Sequence, residues 1–228
     1  PISRAYYKIT EICKDFSVGN METSIDIMCL AEAPGAFVQY FLDKRDGIGD
    51  TIVCNTLQMG GNIPEFHVSI LGSEAVHTYF GPDHSGDICK YNLIVDLVTK
   101  KQKFDIITAD GGMDTSVDYN SQDKQCKRLI LSEIVIGIGC LKKDGSMIIK
   151  IFDIEDIEMI HMLSILANCF VCVHLTKPRS SRPANSEKYL VCKGFLGYDG
   201  IHSLIHNIHN NKAIVADIGK SFENKMIN

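Results

Sequence analysis

Charged residues stand at the ends of three apolar, strand-like runs, and these are the residues with which the chain could do chemistry. Asp110 directly follows the run 104–109, Lys150 lies within the run 146–152, and Glu187 immediately precedes a run that begins at position 188. A charge against an apolar run is costly unless an opposite charge pairs with it. The pattern therefore predicts either a buried salt-bridge network that holds a sheet together or a chemically active site.

A basic stretch, residues 177–187, lies between the last two strand-like runs and contains Lys177, Arg179 and Arg182. Lysine and arginine offer charge and forked donors to phosphate oxygens, so the stretch favours contact with a phosphodiester backbone. The alternative is an ordinary solvated hairpin loop. Because the net charge is -5, any nucleic-acid contact must come from a local patch. A second group of lysines stands at positions 100, 101 and 103.

Small residues follow the first apolar strand, in the order Ala33, Pro34, Gly35 and Ala36. They allow the backbone to approach a ligand closely, and the helix that follows offers free amide donors at its N-terminus. The glycine fingerprint of dinucleotide-binding dehydrogenases is absent here, and the glycines of 137–139 stand at a helix end before a strand. This is the wrong context for that fingerprint, so the sequence argues against hydride transfer.

The elements that must position these residues alternate between strand and helix. Helical spacing is found at 3–16, through Phe37 to Leu42, and at 91–99, 122–141, 154–166 and 201–210. Strands are predicted at 25–30, 52–55, weakly at 76–80, and at 104–109, 146–152, 170–176 and 188–192. The last two strands have no helix between them. We therefore predict an α/β, Rossmann-like fold with a mostly parallel seven-stranded sheet, helices on both faces and a C-terminal antiparallel hairpin.

A sheet of this kind binds ligands beyond the carboxyl ends of its strands, near the topological switch point. The residues that follow the strands are therefore expected to line a site. They are residues 31–37, Asn55 and Thr56, Asp87, residues 110–112 and Lys150.

Size and composition indicate one globular domain over residues 1–228. The chain has 228 residues, 45% hydrophobic content and six prolines, which is sufficient for a sizeable core. It has nine cysteines, an odd total, and only Cys169 and Cys172 have CxxC spacing, so a reducing compartment is expected. No apolar run reaches the length of a membrane span and no signal peptide is recognised, which predicts a soluble intracellular protein. The start at Pro1 suggests a piece cut from a longer chain.

Two further groups of residues are considered and set aside. His202, His206 and His209 recur at helical spacing, but no carboxylate accompanies them within the helix, so a surface helix is favoured over a metal site. Tyr6, Tyr7 and Tyr119 are suited to stacking on a nucleobase or a cap but are more simply interpreted as core or rim residues.

Ordered motifs from Ser3 to about Phe195 resemble the FtsJ/RrmJ-like 2'-O-ribose RNA methyltransferases. Ser3, Arg4 and Lys8 resemble the opening helix of that family. The later motifs, in chain order, resemble its cofactor loop at 33–37, its adenine-side segment at 86–88, its catalytic aspartate motif at 109–112, its catalytic lysine strand at 145–150 and its closing motif at 177–187.

The resemblance implies four catalytic residues, Lys8, Asp110, Lys150 and Glu187. A ribose 2'-hydroxyl is a poor nucleophile, so a base must take its proton as it attacks the methyl group. A lysine can do so only when deprotonated, a state that a second lysine nearby favours. Lys150 is expected to be the base, with Asp110 and Glu187 orienting the lysines, and the scheme needs no metal.

The cofactor implied by the resemblance is S-adenosylmethionine, bound by Ala33, Pro34, Gly35, Ala36, Phe37, Asp87, Ile88 and Asp110. The implied substrate is RNA, contacted by Arg4, Lys177, Arg179, Ser181 and Arg182. The motifs are most similar to those of cap-modifying enzymes of large cytoplasmic DNA viruses. This predicts methylation of the first transcribed nucleotide of capped mRNA, in the host cytoplasm or the virion.

Alternatives stay open on the sequence alone. The substrate can be ribosomal or transfer RNA, or the chain can be a non-catalytic RNA-binding scaffold. Two departures from the family pattern motivate the scaffold: Ala36 replaces a glycine, and Asn55 replaces the acidic residue that many methyltransferases use on the cofactor ribose. A partner subunit or flanking domains are expected to help bind RNA, because the chain is acidic.

Overall fold

The computed structural model describes residues 1–58, 64–112, 119–152, 154 and 156–210, with the side chains of 119–123 outside the description. Seven helices and seven strands are found in this part of the chain. The helices are α1 (Ala5–Phe16), α2 (Ala36–Lys44), α3 (Val68–Leu71), α4 (Tyr91–Thr99), α5 (Tyr119–Cys140), α6 (Ile157–Cys169) and α7 (Ile201–His209). The strands are β1 (Asp26–Leu30), β2 (Thr51–Cys54), β3 (Val76–Thr78), β4 (Phe104–Ala109), β5 (Leu141–Ile151), β6 (Phe170–Thr176) and β7 (Lys188–Phe195).

The strands form one sheet in the order β3-β2-β1-β4-β5-β7-β6. The first five are parallel to their neighbours, whereas β7 runs antiparallel to both β5 and β6. The predicted α/β class and the C-terminal antiparallel hairpin are confirmed. Within the hairpin it is the later strand, β7, that lies next to β5, so β6 forms the edge of the sheet. This order brings the start of β7 to the edge at which the parallel strands end.

Hydrophobic side chains cover both faces of the sheet. Helices α1 and α2 pack over one face, with Ile9, Phe37 and Phe41 in that core, and α4 to α7 cover the other. The central strands β1 and β4 are almost wholly buried because helices lie on both sides of them. Near-continuous apolar runs are the expected sequence of such strands.

Several element boundaries differ from the predicted ones, among them the starts of β5 and α6. Strand β5 begins at Leu141 rather than at 146, and residues 143–145 form a bulge inside it, where the register with β4 shifts and Asp144 has φ +64°. Helix α6 begins at Ile157 because Asp156 caps it, accepting a hydrogen bond from the Glu158 amide at 2.7 Å. The short helix α3 lies in a span expected to be loop.

No helix in the described part of the chain is long and apolar enough to cross a bilayer.

Candidate active site

The four residues predicted to be catalytic meet at the carboxyl edge of the sheet. Asp110 directly follows β4, Lys150 lies next to the last residue of β5, and Glu187 immediately precedes β7. Because β7 is antiparallel to β5, its beginning lies where β5 ends. Lys8, from the middle of α1, reaches the same edge through an ion pair with Glu187.

Lys150 and Asp110 form the inner pair of charges. The Lys150 Nζ atom lies 3.2 Å from Asp110 Oδ1 and donates a hydrogen bond to the Asp110 backbone carbonyl at 2.7 Å. Tyr189 faces Lys150 directly across the β5–β7 pairing, and its hydroxyl donates to the same Oδ1 at 2.7 Å. Burial and the Asp110 charge raise the pKa of this tyrosine, so it stays a neutral donor. Lys150 is 9% exposed, so this lysine is held in place at the rim of the core.

Lys8 and Glu187 form the outer pair, with 2.6 Å between Lys8 Nζ and Glu187 Oε1. The Ser181 hydroxyl donates to the same oxygen at 2.8 Å. Burial by itself would raise the pKa of Glu187. The hydrogen bonds from Lys8 and Ser181, together with the charges of Lys8 and Lys150, outweigh burial and hold the pKa below its usual value. Glu187 is therefore an anion at neutral pH, although it is only 4% exposed.

Two further carboxyl groups, which the motifs did not indicate, are buried behind the inner pair. Glu32, directly after β1, accepts a hydrogen bond from the Phe37 amide at 2.6 Å, and burial followed by the Asp110 charge raises its pKa well above the usual range. Glu133 on α5 lies against Gly111. Burial raises the pKa of Glu133 to about 8, reinforced by the Asp110 charge and opposed by the Lys150 charge and by the nearby Gly111 amide.

A cleft of about 870 Å³ opens beside these charges. Of the residues predicted to bind a cofactor, Ala33, Asp87, Ile88 and Asp110 line it, together with Lys150. Pro34, Gly35, Ala36 and Phe37, which were also predicted to bind the cofactor, do not line the cleft: Gly35 takes φ +107° before α2, and Ala36 and Phe37 are buried in the core. The volume suits a ligand of cofactor size.

Asn55, which follows β2, also lines the cleft and is 1% exposed. Its Nδ2 atom donates to the backbone carbonyls of Tyr79 at 2.9 Å and Gly86 at 3.2 Å. Its Oδ1 atom has no hydrogen-bond partner in the described part of the chain. The amide therefore ties the loop that carries Asp87 to the end of β2 and leaves one buried acceptor without a partner in the described residues.

The basic loop, residues 177–187 between β6 and β7, packs against α1. Arg179 and Arg182 are exposed, as is Arg4, whose guanidinium donates to the Ser180 carbonyl at 3.2 Å. Lys177 donates to the carbonyls of Pro183 and Asn185 at 3.1 and 2.5 Å. Of the residues predicted to contact RNA, the arginines thus face outward, whereas Lys177 braces the loop and Ser181 holds Glu187.

The second lysine group lies at the opposite edge of the sheet, before β4 begins. Lys100 pairs with Asp96 at 2.7 Å and lies over the Tyr79 ring. Lys103 donates a hydrogen bond of 2.5 Å to the backbone carbonyl of Gly139, in the last turn of α5. These lysines are not part of the site. The histidines of α7 gather no carboxylate or cysteine, and no group of three metal-ligating side chains is found in the described residues.

The sequence analysis does not predict the roles of Tyr189 and Glu133 or the contact between Ser181 and Glu187, and it includes Glu32 only within the range 31–37. Tyr189 was treated only as a residue of an apolar strand. A usable signal was present for Tyr189, since it lies two residues after Glu187 and points to the same side of an extended strand. Nothing local marks Glu133, because it occupies an ordinary helical position 23 residues after Asp110.

Comparisons with known proteins identify the family of this chain. The family profile described as FtsJ-like methyltransferase matches residues 1–195. The cap-specific mRNA (nucleoside-2'-O-)-methyltransferase of Autographa californica nuclear polyhedrosis virus is 31% identical, over 96% of this chain and 79% of that protein. A cap-specific mRNA (nucleoside-2'-O-)-methyltransferase 2 of Pongo abelii is 28% identical, over 92% of this chain but 29% of its own length.

Among solved structures, one titled a ribosomal RNA methyltransferase from Plasmodium falciparum superposes with a TM-score of 0.61 at 22% identity. The match covers 87% of this chain and 100% of that one and supports the fold. The resemblance predicted from the ordered motifs is confirmed by a profile that spans most of the chain. This chain belongs to the FtsJ-like methyltransferase family.

Proposed function

We propose that this protein transfers a methyl group from S-adenosylmethionine to the ribose 2'-hydroxyl of the first transcribed nucleotide of capped mRNA. The observation that carries the proposal is the pair of lysine–carboxylate contacts, Lys150 with Asp110 and Lys8 with Glu187, beside a cleft of cofactor size. The cap-specific relatives support the choice of substrate. Such a reaction fits the cytoplasm of a host cell, where capped mRNA is present.

The residues around the cleft fit the cofactor. Asn55 lines the cleft at the end of β2, so its amide can serve where related folds use a carboxylate on the cofactor ribose. Asp87, Ile88 and Ala33 would line the remaining contact surface. When bound, S-adenosylmethionine supplies an activated methyl group on a positively charged sulfur. Asp110 at the end of the cleft offers a negative charge toward that region.

Lys150 is the base in this proposal. Its amine takes the proton of the 2'-hydroxyl as the oxygen attacks. Asp110 holds the amine from two sides, through its carboxylate and its backbone carbonyl, and Tyr189 holds the carboxylate. Alignment of the hydroxyl with the methyl group supplies much of the acceleration, because the methyl donor is already activated.

RNA enters along the surface formed by α1 and the basic loop. Arg4, Arg179 and Arg182 offer exposed guanidinium groups there, and the outer pair of Lys8 and Glu187 lies beneath them. Arginine suits phosphate because its fork binds two oxygens at once. A scaffold without activity would have little use for two lysines at the edge of a ligand cleft. Each of them is largely buried and needs a paired carboxylate to offset the cost of burying its charge.

The test is transfer of a labelled methyl group to short RNAs that differ only in the presence of the cap. Wild type, Lys150→Ala and the control Lys142→Ala are compared; Lys142 lies on the same strand at the opposite edge and pairs with Asp26 and Asp105. We expect transfer to the first ribose of the capped RNA by wild type and the control, and a loss of at least about a hundredfold in Lys150→Ala.

Other outcomes would contradict the proposal in different ways. Equal transfer to capped and uncapped RNA would contradict the cap substrate and leave the methyltransferase reaction standing. No transfer to any RNA by a protein that binds S-adenosylmethionine would indicate a binding module or a missing partner subunit. Activity retained in Lys150→Ala would contradict its role as the base.

A further inference from the structure

Helix α1 presents a polar stripe to the basic loop. Arg4, Lys8 and Glu11 stand at positions i, i+4 and i+7, which places them on one face of the helix. Each of the three contacts the segment 180–187 or its neighbour: Arg4 the Ser180 carbonyl, Lys8 the Glu187 carboxylate, and Glu11 the backbone at the start of the segment. Two of these residues belong to the site already described, whereas Glu11 does not.

The Glu11 carboxylate accepts three hydrogen bonds from the loop. The Arg179 amide donates to Oε1 at 2.6 Å, and the Ser180 amide and hydroxyl each donate to Oε2 at 3.2 Å. Burial opposes ionisation, but the two amides, the Ser180 hydroxyl and the Arg179 charge together hold the pKa of Glu11 below its usual value. Hydrogen bonds to a charged acceptor are stronger than those between neutral groups.

These contacts close a ring of bonds. From Glu11 the ring passes to Ser180, along the backbone to Ser181, through the Ser181 hydroxyl to Glu187, and through the ion pair to Lys8 on the same helix. Lys8 lies three residues before Glu11, so the helix fixes both ends of the ring. A shift of the loop at Ser180 would therefore move Ser181 and take the donor away from Glu187.

We infer that Glu11 is a positioning residue: by holding the backbone at Arg179 and Ser180 it keeps Glu187 and Lys8 in their working geometry and aims Arg179 at the RNA. The inference rests on the proposed function for its kinetic part. A misplacement of about 1 Å at a reacting group can cost on the order of a hundredfold in rate, so a surface carboxylate can matter to a reaction it does not touch.

The chain itself supplies a direct probe of this anchor. Trypsin cuts after lysine and arginine unless proline follows, so the bonds after Lys177 and Arg182 resist it. The Arg179–Ser180 bond is then the cleavable bond between positions 177 and 187, and both of its flanking amides are the ones bound by Glu11. Cleavage of a folded protein requires the bond to open locally, so its rate reports how firmly the loop is held.

The experiment compares wild type, Glu11→Ala, Glu11→Gln and the control Asp15→Ala, an exposed carboxylate one turn further along α1. Cleavage at Arg179–Ser180 is followed by mass spectrometry against cleavage elsewhere in the same protein. We expect Glu11→Ala to raise the local cleavage rate about tenfold and to lower kcat for methyl transfer between about tenfold and a hundredfold. Glu11→Gln keeps one acceptor oxygen, so its cleavage rate and its kcat should lie between those of wild type and Glu11→Ala. Asp15→Ala should match wild type in both.

The melting temperature of each variant separates this effect from a general loss of stability. If Glu11→Ala lowered the melting temperature and also accelerated cleavage at every site, the effect would be a general loss of stability and the inference would be overturned. Unchanged cleavage at Arg179–Ser180 in this variant would overturn it too. Faster cleavage with unchanged kcat would show a structural tie only and would also overturn it. A wild type that methylates no RNA contradicts the proposed function instead, because the cleavage assay tests the anchor without RNA.

Discussion

Charge at single residues decides what this site can do. Two lysines and four carboxyl groups gather around the ends of β4 and β5: the two lysines, the two carboxylates paired with them, and the buried Glu32 and Glu133. Glu187 keeps its charge because Lys8 and Ser181 pair with it, whereas at Glu133 burial outweighs the Lys150 charge and the Gly111 amide, so this group holds its proton instead. The site therefore sets two lysines against two carboxylates and keeps two buried carboxyl groups with raised pKa values behind them.

Glu133 should make stability depend on pH. Its folded-state pKa of about 8 lies above the ordinary 4.5, so between these values the folded state binds a proton that the unfolded state has lost. The free energy of unfolding then falls as pH rises through that window. In Glu133→Gln this dependence is removed. We therefore expect the free energy of unfolding of wild type to fall, relative to that of the variant, by on the order of 2 to 5 kcal/mol as the pH rises from 5 to 8.5.

Urea unfolding at several pH values measures this difference. Glu158→Gln is the matched control, because Glu158 is an exposed glutamate on α6, the next helix. Parallel stability curves for wild type and Glu133→Gln across that pH range would show that the carboxyl is not protonated in the fold.

Among the elements, the turn before α4 illustrates how one loop is locked to another. Gly86 has φ +67°, and a Cβ atom on it would lie 1.8 Å from the Thr56 carbonyl oxygen. Asn55 holds the same turn through its side-chain amide. The loop after β2 and the loop that carries Asp87 thus touch through backbone, which only a residue without a side chain allows.

Gly86→Ala should force these loops apart. We expect the affinity for S-adenosylmethionine to fall at least about tenfold and the free energy of unfolding to fall by about 1 to 3 kcal/mol. Isothermal titration calorimetry and urea unfolding provide the two measurements. Gly47→Ala is the control, since Gly47 also has a positive φ, +75°, but nothing lies within 4 Å of the added carbon. Equal affinities in the two variants would argue that the contact is not part of the cofactor site.

For the whole molecule, the distribution of charge matters more than its sum. The chain carries a net charge of -5, yet Arg4, Arg179 and Arg182 are exposed on the surface of α1 and the basic loop. Binding to single-stranded RNA through such a patch depends on salt, because each phosphate contact releases counterions. A small patch predicts weak binding with a shallow salt dependence.

Arg179→Ala and Arg182→Ala should each weaken RNA binding and lower the slope of log K against log salt by about 0.7. Fluorescence anisotropy with a short capped RNA at four or more salt concentrations gives that slope. Lys101→Ala serves as control, because Lys101 is exposed at the opposite edge of the sheet. A slope unchanged by either arginine substitution would place the RNA contact elsewhere on the protein.

Much of this molecule could be read from local sequence. Apolar periodicity predicted nearly every strand and helix, and the rule that parallel sheets bind ligands at their carboxyl ends pointed to Asp110, Lys150 and Asp87 before any geometry was known. These inferences succeed because the period of an element and the residues at its end are encoded within a few neighbouring positions.

Other features were decided only by the tertiary structure. The placement of β7 beside β5 puts Tyr189 opposite Lys150 and lets it reach Asp110, 79 residues away in sequence. The Glu11 ring and the burial of Glu133 depend equally on which helix faces which loop. Hydrogen bonds between distant residues require a particular register and a particular side-chain direction, and neither is determined until the elements have packed against one another.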